Sequence, residues 1–165
     1  MKIGLLSDTH GYLDDRVFGY FADCDEIWHA GDIGSLVVCE QLNAFKPFQA
    51  VYGNIDGADI RSRYPEDLWL EREGLVVWIT HIGGYPPRYN PRTRTVLAER
   101  QPDIFVCGHS HILKVMKDPK RHQMLCLNPG AAGRHGFQKV RTLLRFSLEE
   151  GKVRQLEVIE LGGRT

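Results

Sequence analysis

The sequence lacks the features that mark membrane, secreted and polyanion-binding proteins. No apolar run approaches the length of a membrane span, and Asp8 and His10 interrupt the apolar run near the N-terminus, so we expect neither a spanning helix nor a signal peptide. Charge of one sign is not in excess, because 21 Lys and Arg residues balance 21 Asp and Glu residues. A neutral chain exerts no general attraction on nucleic acid or an anionic membrane. We therefore expect a cytoplasmic protein that binds no membrane and, among nucleic acids, only nucleotides or short oligonucleotides.

Cysteine is scarce and shows no metal-ligand spacing. None of the four cysteines stands in a CxxC pair; they are Cys24, Cys39, Cys107 and Cys126. This pattern predicts reduced, mostly buried thiols and argues against a zinc–thiolate site. A chain of 165 residues, of which 42% are hydrophobic, can bury a core without disulfides. We expect a single domain over residues 1–165.

The N-terminal part of the chain alternates between strand and helix patterns. Strands are predicted over residues 2–7, 26–29 and 48–52, and helices over about 14–22 and 35–46. Alternation with short connections is typical of right-handed crossovers between parallel strands. The sequence therefore predicts an α/β region with a mainly parallel sheet.

The C-terminal part is mostly β. A hairpin over residues 69–79 turns at Glu73-Gly74, a Gly/Pro-rich loop covers residues 83–91, and a helix follows over about 93–100. Further strands are predicted over residues 103–107, 112–117, 123–127, 140–146 and 153–161. Together with the N-terminal pattern, this favours two packed sheets with helices on the outside.

Side chains that can bind a metal follow five of the predicted strands. They are Asp8, His10, Asp32, Asn54, His81, His109 and His111. Taken singly, Gly-Asp and Gly-Asn are ordinary turn dipeptides, and a lone histidine at a strand end is more often structural. Sites form where the carboxyl ends of strands meet, so their joint occurrence at strand ends favours one site over seven separate turns.

In this order, Asp-x-His, Gly-Asp, Gly-Asn, Thr-His and Gly-His-Ser-His resemble the motifs of the calcineurin-like metallophosphoesterase superfamily. The chain is most similar to the short subgroup without a cap, which includes small prokaryotic phosphodiesterases and the small subunit of retromer. The resemblance extends from Asp8 to the turn Asn128-Pro129-Gly130. It implies an α/β fold, a four-layer α/β-β/α sandwich with a dinuclear metal centre between its sheets.

The resemblance also implies a ligand set. One divalent ion would be held by Asp8, His10, Asp32 and His111, and the second by Asp32, Asn54, His81 and His109, so that Asp32 bridges the two. The same seven residues form the implied catalytic set, acting through a metal-bound hydroxide that attacks phosphorus in line. Carboxylate, amide and imidazole ligands suit manganese, which we expect first, and also iron, cobalt, nickel or zinc. Two such ions about 3.5–4 Å apart can activate water and clamp phosphoryl oxygens.

The third motif departs from that of many relatives, where a histidine follows Gly-Asn and is taken to protonate the leaving group. Ile55 stands there instead and cannot donate a proton, whereas general acid catalysis typically contributes about 10²–10⁴ in rate. We therefore expect a preference for diesters or activated esters over alkyl monoesters. Asp56 matches the Gly-Asn-x-Asp variant of the short subgroup. We expect it to be structural. Two alternatives stay open, namely that it supports His10 from outside the ligand set or that it is itself the general acid.

The fourth motif lacks its usual second histidine, and Gly83 stands in its place, which we expect to alter the surroundings of the ligands or to open the site. The following loop carries Arg88, Arg92 and Arg94. These arginines are either solvated or, together with Asn54, bind the substrate phosphate.

The remaining histidines are not expected to be ligands. His29 precedes Gly31-Asp32 on a strand, which favours a place in the core or behind the ligands. His122 and His135 are expected at the surface. The turn at Asn128-Pro129-Gly130 is expected to bring the chain near the metals.

The predicted function is a divalent-metal-dependent phosphoesterase, with phosphodiesterase as the first choice and a small phosphoester as substrate. The alternatives are a non-catalytic scaffold, as in retromer, and a nuclease or phosphomonoesterase. Every expected ligand position carries a side chain that can bind a metal, which argues against the scaffold. The resemblance also raises the expectation of a homodimer.

Overall fold

The computed structural model describes residues 1–165 and contains two five-stranded sheets that face each other. The strands are β1 (Lys2–Leu6), β2 (Glu26–His29), β3 (Phe48–Ala50), β4 (Asp67–Arg72), β5 (Leu75–Thr80), β6 (Gly84–Tyr85), β7 (Arg88–Tyr89), β8 (Ile104–Val106), β9 (Leu113–Asp118), β10 (Met124–Pro129), β11 (Val140–Glu149) and β12 (Lys152–Gly163). The helices are α1 (Arg16–Tyr20), α2 (Leu36–Phe45), α3 (Ala58–Arg61) and α4 (Pro91–Glu99), with one 3₁₀ turn at Pro119–Arg121. None of the helices is long and apolar enough to cross a membrane.

Each sheet contains three adjacent parallel strands and two further strands that pair antiparallel with their neighbours. The first sheet has the order β12-β11-β1-β2-β3, in which β1, β2 and β3 are parallel and β11 runs antiparallel to β1. The second has the order β4-β5-β8-β10-β9, with β5, β8 and β10 parallel and antiparallel strands at both edges. The parallel arrangement predicted for the N-terminal strands is confirmed for β1, β2 and β3, and the strands from the C-terminal part add the antiparallel pairs.

Three hydrophobic clusters separate four layers. The central cluster joins the facing sheets and includes Ile3 and Leu5 of β1 opposite Val77 of β5. A second cluster packs α1 and α2 on the outer face of the first sheet, and a third packs α4 on the outer face of the second. Strands covered on both faces have continuous apolar sequences, which explains the run at residues 3–6. The predicted four-layer α/β-β/α sandwich is confirmed.

Local capping explains where the helices differ from the predicted bounds. Helix α1 is shorter than predicted because Asp14 lies outside it and its carboxylate accepts hydrogen bonds from Arg16 and Arg141. Helix α2 begins after Ser35, whose hydroxyl accepts from the amide of Val37, as expected. Helix α4 begins two residues earlier than predicted, because Asn90 caps it and proline fits its first position.

Two short elements were not predicted, and both lie in segments expected to be loops. Helix α3 stands in the polar segment after Asp56, and the β6–β7 hairpin stands in the Gly/Pro-rich loop before α4. Neither is long enough to show a periodic pattern in the sequence. All four cysteines are buried and unpaired, as predicted.

Substitution of Gly4 by alanine tests how closely α1 packs on the first sheet. A Cβ atom at Gly4 would lie 2.7 Å from the Phe21 ring, whereas one at Gly19 in α1 would meet nothing within 4 Å. We expect Gly4→Ala to lower the free energy of unfolding by about 1–3 kcal/mol through overpacking. The matched Gly19→Ala should be neutral or stabilising by up to about 1 kcal/mol. Urea denaturation measures both, and equal effects would contradict the packing.

Candidate metal centre

Two groups of ligand-bearing side chains meet where the strands of the two sheets end. The first group is Asp8, His10 and His111, and the second is Asp32, His81 and His109. Within each group the candidate ligand atoms lie within 4.8 Å of one another. Their loops follow β1, β2, β5 and β8, so both sheets contribute to the same site.

The backbone at these positions adopts a conformation that few residues tolerate. Asp8, His10, Asp32, His109 and His111 all have left-handed φ angles, between 47° and 67°. A non-glycine residue in this region costs on the order of 1–3 kcal/mol and persists only where the surroundings impose it. Here hydrogen bonds between neighbouring loops impose it, for example from the Asp8 amide to the Gly31 carbonyl at 3.0 Å. Strain concentrated in this way is characteristic of functional sites.

Each aspartate has one oxygen fixed by protein donors and one left free. Asp8 Oδ2 accepts from the Ser7 hydroxyl at 2.6 Å and from the His109 amide at 3.1 Å. Asp32 Oδ1 accepts from the Ile55 amide at 3.0 Å. The other oxygens, Asp8 Oδ1 and Asp32 Oδ2, face the histidines. The protein therefore orients both carboxylates with one oxygen each and presents the second to the site.

Hydrogen bonds define the protonated nitrogen of two of the histidines. His81 Nδ1 lies 2.7 Å from the Ala30 carbonyl, and His111 Nδ1 lies 2.9 Å from Gln138 Oε1. The Gln138 amide nitrogen donates to the Gly133 and His135 carbonyls, which fixes its oxygen toward His111. Because oxygen acceptors require a donor, Nδ1 carries the proton in both rings. The lone pair of Nε2 then points into the site.

These lone pairs meet carboxylate oxygens with no donor between them. His111 Nε2 lies 3.2 Å from Asp8 Oδ1, and His81 Nε2 lies 3.2 Å from Asp32 Oδ2. Asp8 Oδ1, His10 Nε2 and His81 Nε2 are buried and have no hydrogen-bond partner. Buried polar atoms are rarely left unpaired, and facing acceptors repel unless a cation or a proton lies between them. The donor set therefore fits divalent metal ions.

The same contacts shift the pKa of the site residues. The Asp8 carboxylate raises the pKa of His111 through a hydrogen bond, and this outweighs burial. Burial would lower the pKa of His81, but the contact that a protonated Nε2 makes with the Asp32 carboxylate and the charge of Asp8 raise it overall. Burial would likewise raise the pKa of Asp32, but His81 holds it below its usual value. For His10, burial dominates and lowers the pKa.

Asp32 and Asn54 lie close to the candidate histidine ligands. Asp32 Oδ2 is 3.2 Å from His81 Nε2 and 3.6 Å from His10 Nε2, so it stands between the two groups. The Asn54 side-chain oxygen lies 3.0 Å from His109 Nδ1. The structure thus brings all seven predicted side chains into one site.

Glycines in the motifs allow the strand ends to approach this closely. A Cβ atom at Gly53 would overlap the Asp32 carboxylate, and one at Gly108 would overlap the Ser7 hydroxyl. These are the glycines of Gly-Asn and Gly-His-Ser-His. Their presence in the motifs follows from the space that the neighbouring ligand loop occupies.

Asp56 of the third motif and Gly83 of the fourth lie in different surroundings. Asp56 is buried and accepts from the amides of Ile33, Gly34 and Gly53, so the structural interpretation is confirmed and a role behind His10 is wrong. The expectation that Gly83 alters or opens the site stays a prediction. A Cβ atom there would overlap Phe105 in the core of the second sheet, but the glycine itself lines the cavity beside His109.

The three loop arginines lie in three different surroundings. Arg92 forms ion pairs with Asp67 and Glu66 and lines a cavity of about 390 Å³ beside Asn54 and His81. Arg88 lines a cavity of about 270 Å³ beside His109. Arg94 lies in a separate cavity that contains none of the seven residues, so a role for it at the substrate phosphate or at a distal part of the substrate stays a prediction.

His29 lies in the core behind the candidate ligands and the Asn128 turn lies beside the site, as predicted from the sequence. His29 is fully buried, accepts from the Gly31 amide and lies 3.0 Å from the Thr9 hydroxyl, and burial lowers its pKa to about 3. Asn128 donates to the Gly108 carbonyl at 2.8 Å and so holds the loop that carries His109. Both support the site without pointing into it.

The loop over residues 133–138 was missed as part of the site. His122 is exposed, as expected. His135 is also exposed, but its ring stacks on His10 with a centroid distance of 4.7 Å. Phe137 stacks on His111 at 6.1 Å, and Gln138 orients His111. No short motif marks this loop, because its role depends on contacts with residues more than 25 positions away.

Comparison with known proteins gives a consistent result. A family model described as the calcineurin-like phosphoesterase superfamily domain matches residues 1–151. A probable metallophosphoesterase of Methanothermobacter thermautotrophicus is 30% identical over 138 residues, which is 79% of this chain and 77% of the relative. The structure of an archaeal phosphodiesterase superposes with a TM-score of 0.77 at 24% identity, over 98% of this chain and 100% of that one. Vps29 of Entamoeba histolytica complexed with zinc superposes at 0.71 with 15% identity, over 97% and 99% of the two chains.

The raised pKa of His81 and His111 predicts that metal affinity increases with pH. In the metal-free protein the proton on each ring stabilises the fold below pH 6.5, and this contribution is lost as pH rises through the raised pKa. Metal requires the neutral rings, so its affinity should rise over the same range, by about one to two powers of ten per pH unit. Calorimetry with Mn²⁺ between pH 6 and 8 measures this. His122→Gln is the control, and a pH-independent affinity would contradict the prediction.

Gln138 should act on the metal through His111. In Gln138→Leu, nothing fixes the proton on His111 Nδ1, so the ring loses its orientation toward Asp8. We expect Mn²⁺ affinity to fall by about 10–100-fold. The control is Gln101→Leu, since Gln101 is exposed and bonds only to the Arg121 carbonyl. Unchanged affinity in Gln138→Leu would show that the contact does not position the ligand.

Proposed function

The chain belongs to the calcineurin-like phosphoesterase superfamily, and from this premise we propose that it is a phosphodiesterase with a dinuclear metal centre. Membership makes it a metal-dependent phosphoesterase. The observation that carries the finer proposal is the contact of imidazole lone pairs with free carboxylate oxygens at 3.2 Å in both groups. Two cations satisfy these acceptors better than one, because Asp32 lies between the groups.

We assign the seven ligands as follows. The first ion is held by Asp8, His10, Asp32 and His111, and the second by Asp32, Asn54, His81 and His109. The hydrogen bond of 3.0 Å between His109 Nδ1 and the Asn54 side-chain oxygen holds these two side chains beside each other. Mixed oxygen and nitrogen ligands without thiolate favour manganese, with iron, cobalt, nickel and zinc as alternatives. The zinc complex of the structural neighbour Vps29 is compatible with that range.

The protein prepares this site before any substrate binds. When bound, the ions would supply a water of lowered pKa as the nucleophile and positive charge for the phosphoryl oxygens. Ser7 and the His109 amide orient Asp8, and the Ile55 amide orients Asp32. Ala30 and Gln138 set the tautomers of His81 and His111. Hydrogen bonds from neighbouring groups thus orient both carboxylates and two of the histidines. This reduces the reorganisation of the site during the reaction.

The preference for diesters rests on what the site lacks and on the space beside it. Ile55 cannot protonate a leaving group, and the side chain of any residue at Gly83 would point into the core. Esters with good leaving groups depend least on an acid. Two cavities, of about 390 and 270 Å³, flank the second group and offer room for the two substituents of a diester. Arg88 and Arg92 line them; the charge of Arg92 is offset by its acidic partners, so Arg88 is the better candidate for phosphate.

Hydrolysis of bis-p-nitrophenyl phosphate tests the proposal. With Mn²⁺ we expect turnover that a chelator abolishes, and a higher kcat/KM than for p-nitrophenyl phosphate. Asp32→Asn keeps the acceptor for the Ile55 amide but removes the bridging charge, and should lower kcat/KM by at least about 10²-fold. His122→Gln serves as the control.

Two outcomes would overturn parts of this proposal. No turnover by the wild-type protein with any divalent metal would refute the enzyme and favour a scaffold. Faster hydrolysis of the monoester would refute the argument from Ile55 while leaving the phosphoesterase intact.

A further inference from the structure

Exposed apolar side chains concentrate around the metal centre. Nine large apolar side chains are exposed in the whole molecule. Four of them adjoin candidate ligands: Ile55 follows Asn54, Ile82 follows His81, Ile112 follows His111, and Phe137 stacks on His111. Single exposed apolar residues are ordinary, but a cluster around a polar cleft indicates a binding surface. We call these four residues the apolar rim.

Phe137 is the largest and most exposed member of the apolar rim. Its side chain is 74% exposed, and its ring lies nearly parallel to that of His111, with 16° between the planes. With the ring centroids 6.1 Å apart, the two rings are offset, and most of the phenyl ring is open to solvent. A planar group bound beside His111 could therefore contact an aromatic surface that is already in place.

The loop around Phe137 is built to hold that ring in position. Gly136 has a φ of 112°, and a Cβ atom there would overlap His111, so glycine lets the loop lie directly against the imidazole. Gln138 ties the other side of Phe137 to His111 and to the carbonyls of Gly133 and His135. The exposed ring is consequently a fixed part of the site.

The aliphatic members of the apolar rim follow ligands of both groups in the chain. Ile82 is 38% exposed and lines both cavities that flank the second group. Ile55 and Ile112 are 45% and 48% exposed. A substituent that extends from the ligands into either cavity contacts Ile82, because this side chain lines both.

We propose that the apolar rim, with Phe137 as its main contact, binds a planar aromatic substituent of the substrate and so makes the enzyme selective for aryl-bearing diesters over small alkyl diesters. This inference rests on the proposed phosphodiesterase function and adds the substrate class. Since the contact is present in both the bound and the transition state, it should act mainly on KM.

The test compares two diesters with the same leaving group, p-nitrophenyl phenyl phosphate and p-nitrophenyl methyl phosphate, with Mn²⁺. The measured quantity is the ratio of kcat/KM for the phenyl ester to that for the methyl ester. The two esters differ in intrinsic reactivity, but this difference is the same for every variant. A change in the ratio between variants therefore measures the effect of the substituted side chain. We expect Phe137→Ser to lower this ratio about two- to tenfold, the range of one aromatic contact. Ile112→Ser should lower it less.

Two further variants separate stacking from general damage. Phe137→Tyr keeps the ring and should retain the wild-type ratio. Val158→Ser is the control for Ile112→Ser, since Val158 is 46% exposed against 48% for Ile112; it lies on β12, which carries no candidate ligand, and should also leave the ratio unchanged. An unchanged ratio in Phe137→Ser would overturn the inference while the phosphodiesterase stands.

A binding measurement covers the case in which neither ester is hydrolysed. Calorimetry with the Mn²⁺-loaded protein then compares phenylphosphonate with methylphosphonate. Absent turnover refutes the proposed function, whereas the apolar rim still predicts tighter binding of phenylphosphonate that Phe137→Ser abolishes. Equal affinities of the two phosphonates in the wild-type protein would overturn the inference as well.

Discussion

The approach of unprotonated imidazole nitrogens to free carboxylate oxygens is the constraint on which the rest of this structure depends. At His81–Asp32 and His111–Asp8 the two acceptors stand 3.2 Å apart, and only a proton or a cation can relieve their repulsion. The surrounding hydrogen bonds maintain this repulsion, because Nδ1 of each ring donates its proton to a carbonyl oxygen and Nε2 is left without one. A folded chain that concentrates acceptors in this way is incomplete without positive charge, which is why the site points to metal ions.

The fold supplies the rigidity that this constraint demands. The ligands stand on loops that leave central strands of both sheets, and three apolar clusters hold the four layers in register. Strained backbone at five of the ligand positions is tolerated because neighbouring loops bond to each other across the gap. The buried sandwich thus stabilises a conformation that none of the loops would adopt alone.

Reactivity and selectivity fall to different parts of the site. In the proposed enzyme, the charged residues, with Asp8 and Asp32 among them, act on any phosphoester. The loop over residues 133–138 and the apolar rim are proposed to contact what the phosphate carries. Because Gln138 orients His111 while its neighbour Phe137 faces solvent, one short loop links the ligand geometry to the surface that meets the substrate.

The sequence by itself determined which residues could bind metal and that they would meet, because ligand chemistry belongs to each residue and strand ends converge in α/β sheets. It also predicted the four layers through the resemblance and most strands through their apolar periodicity. It did not show that Gly83 points into the core, that Arg94 lies apart, or that Gln138 and Phe137 belong to the site. Those facts were decided by the tertiary structure alone, since they depend on which groups lie within a few ångströms across segments distant in the chain, and no local pattern encodes that proximity.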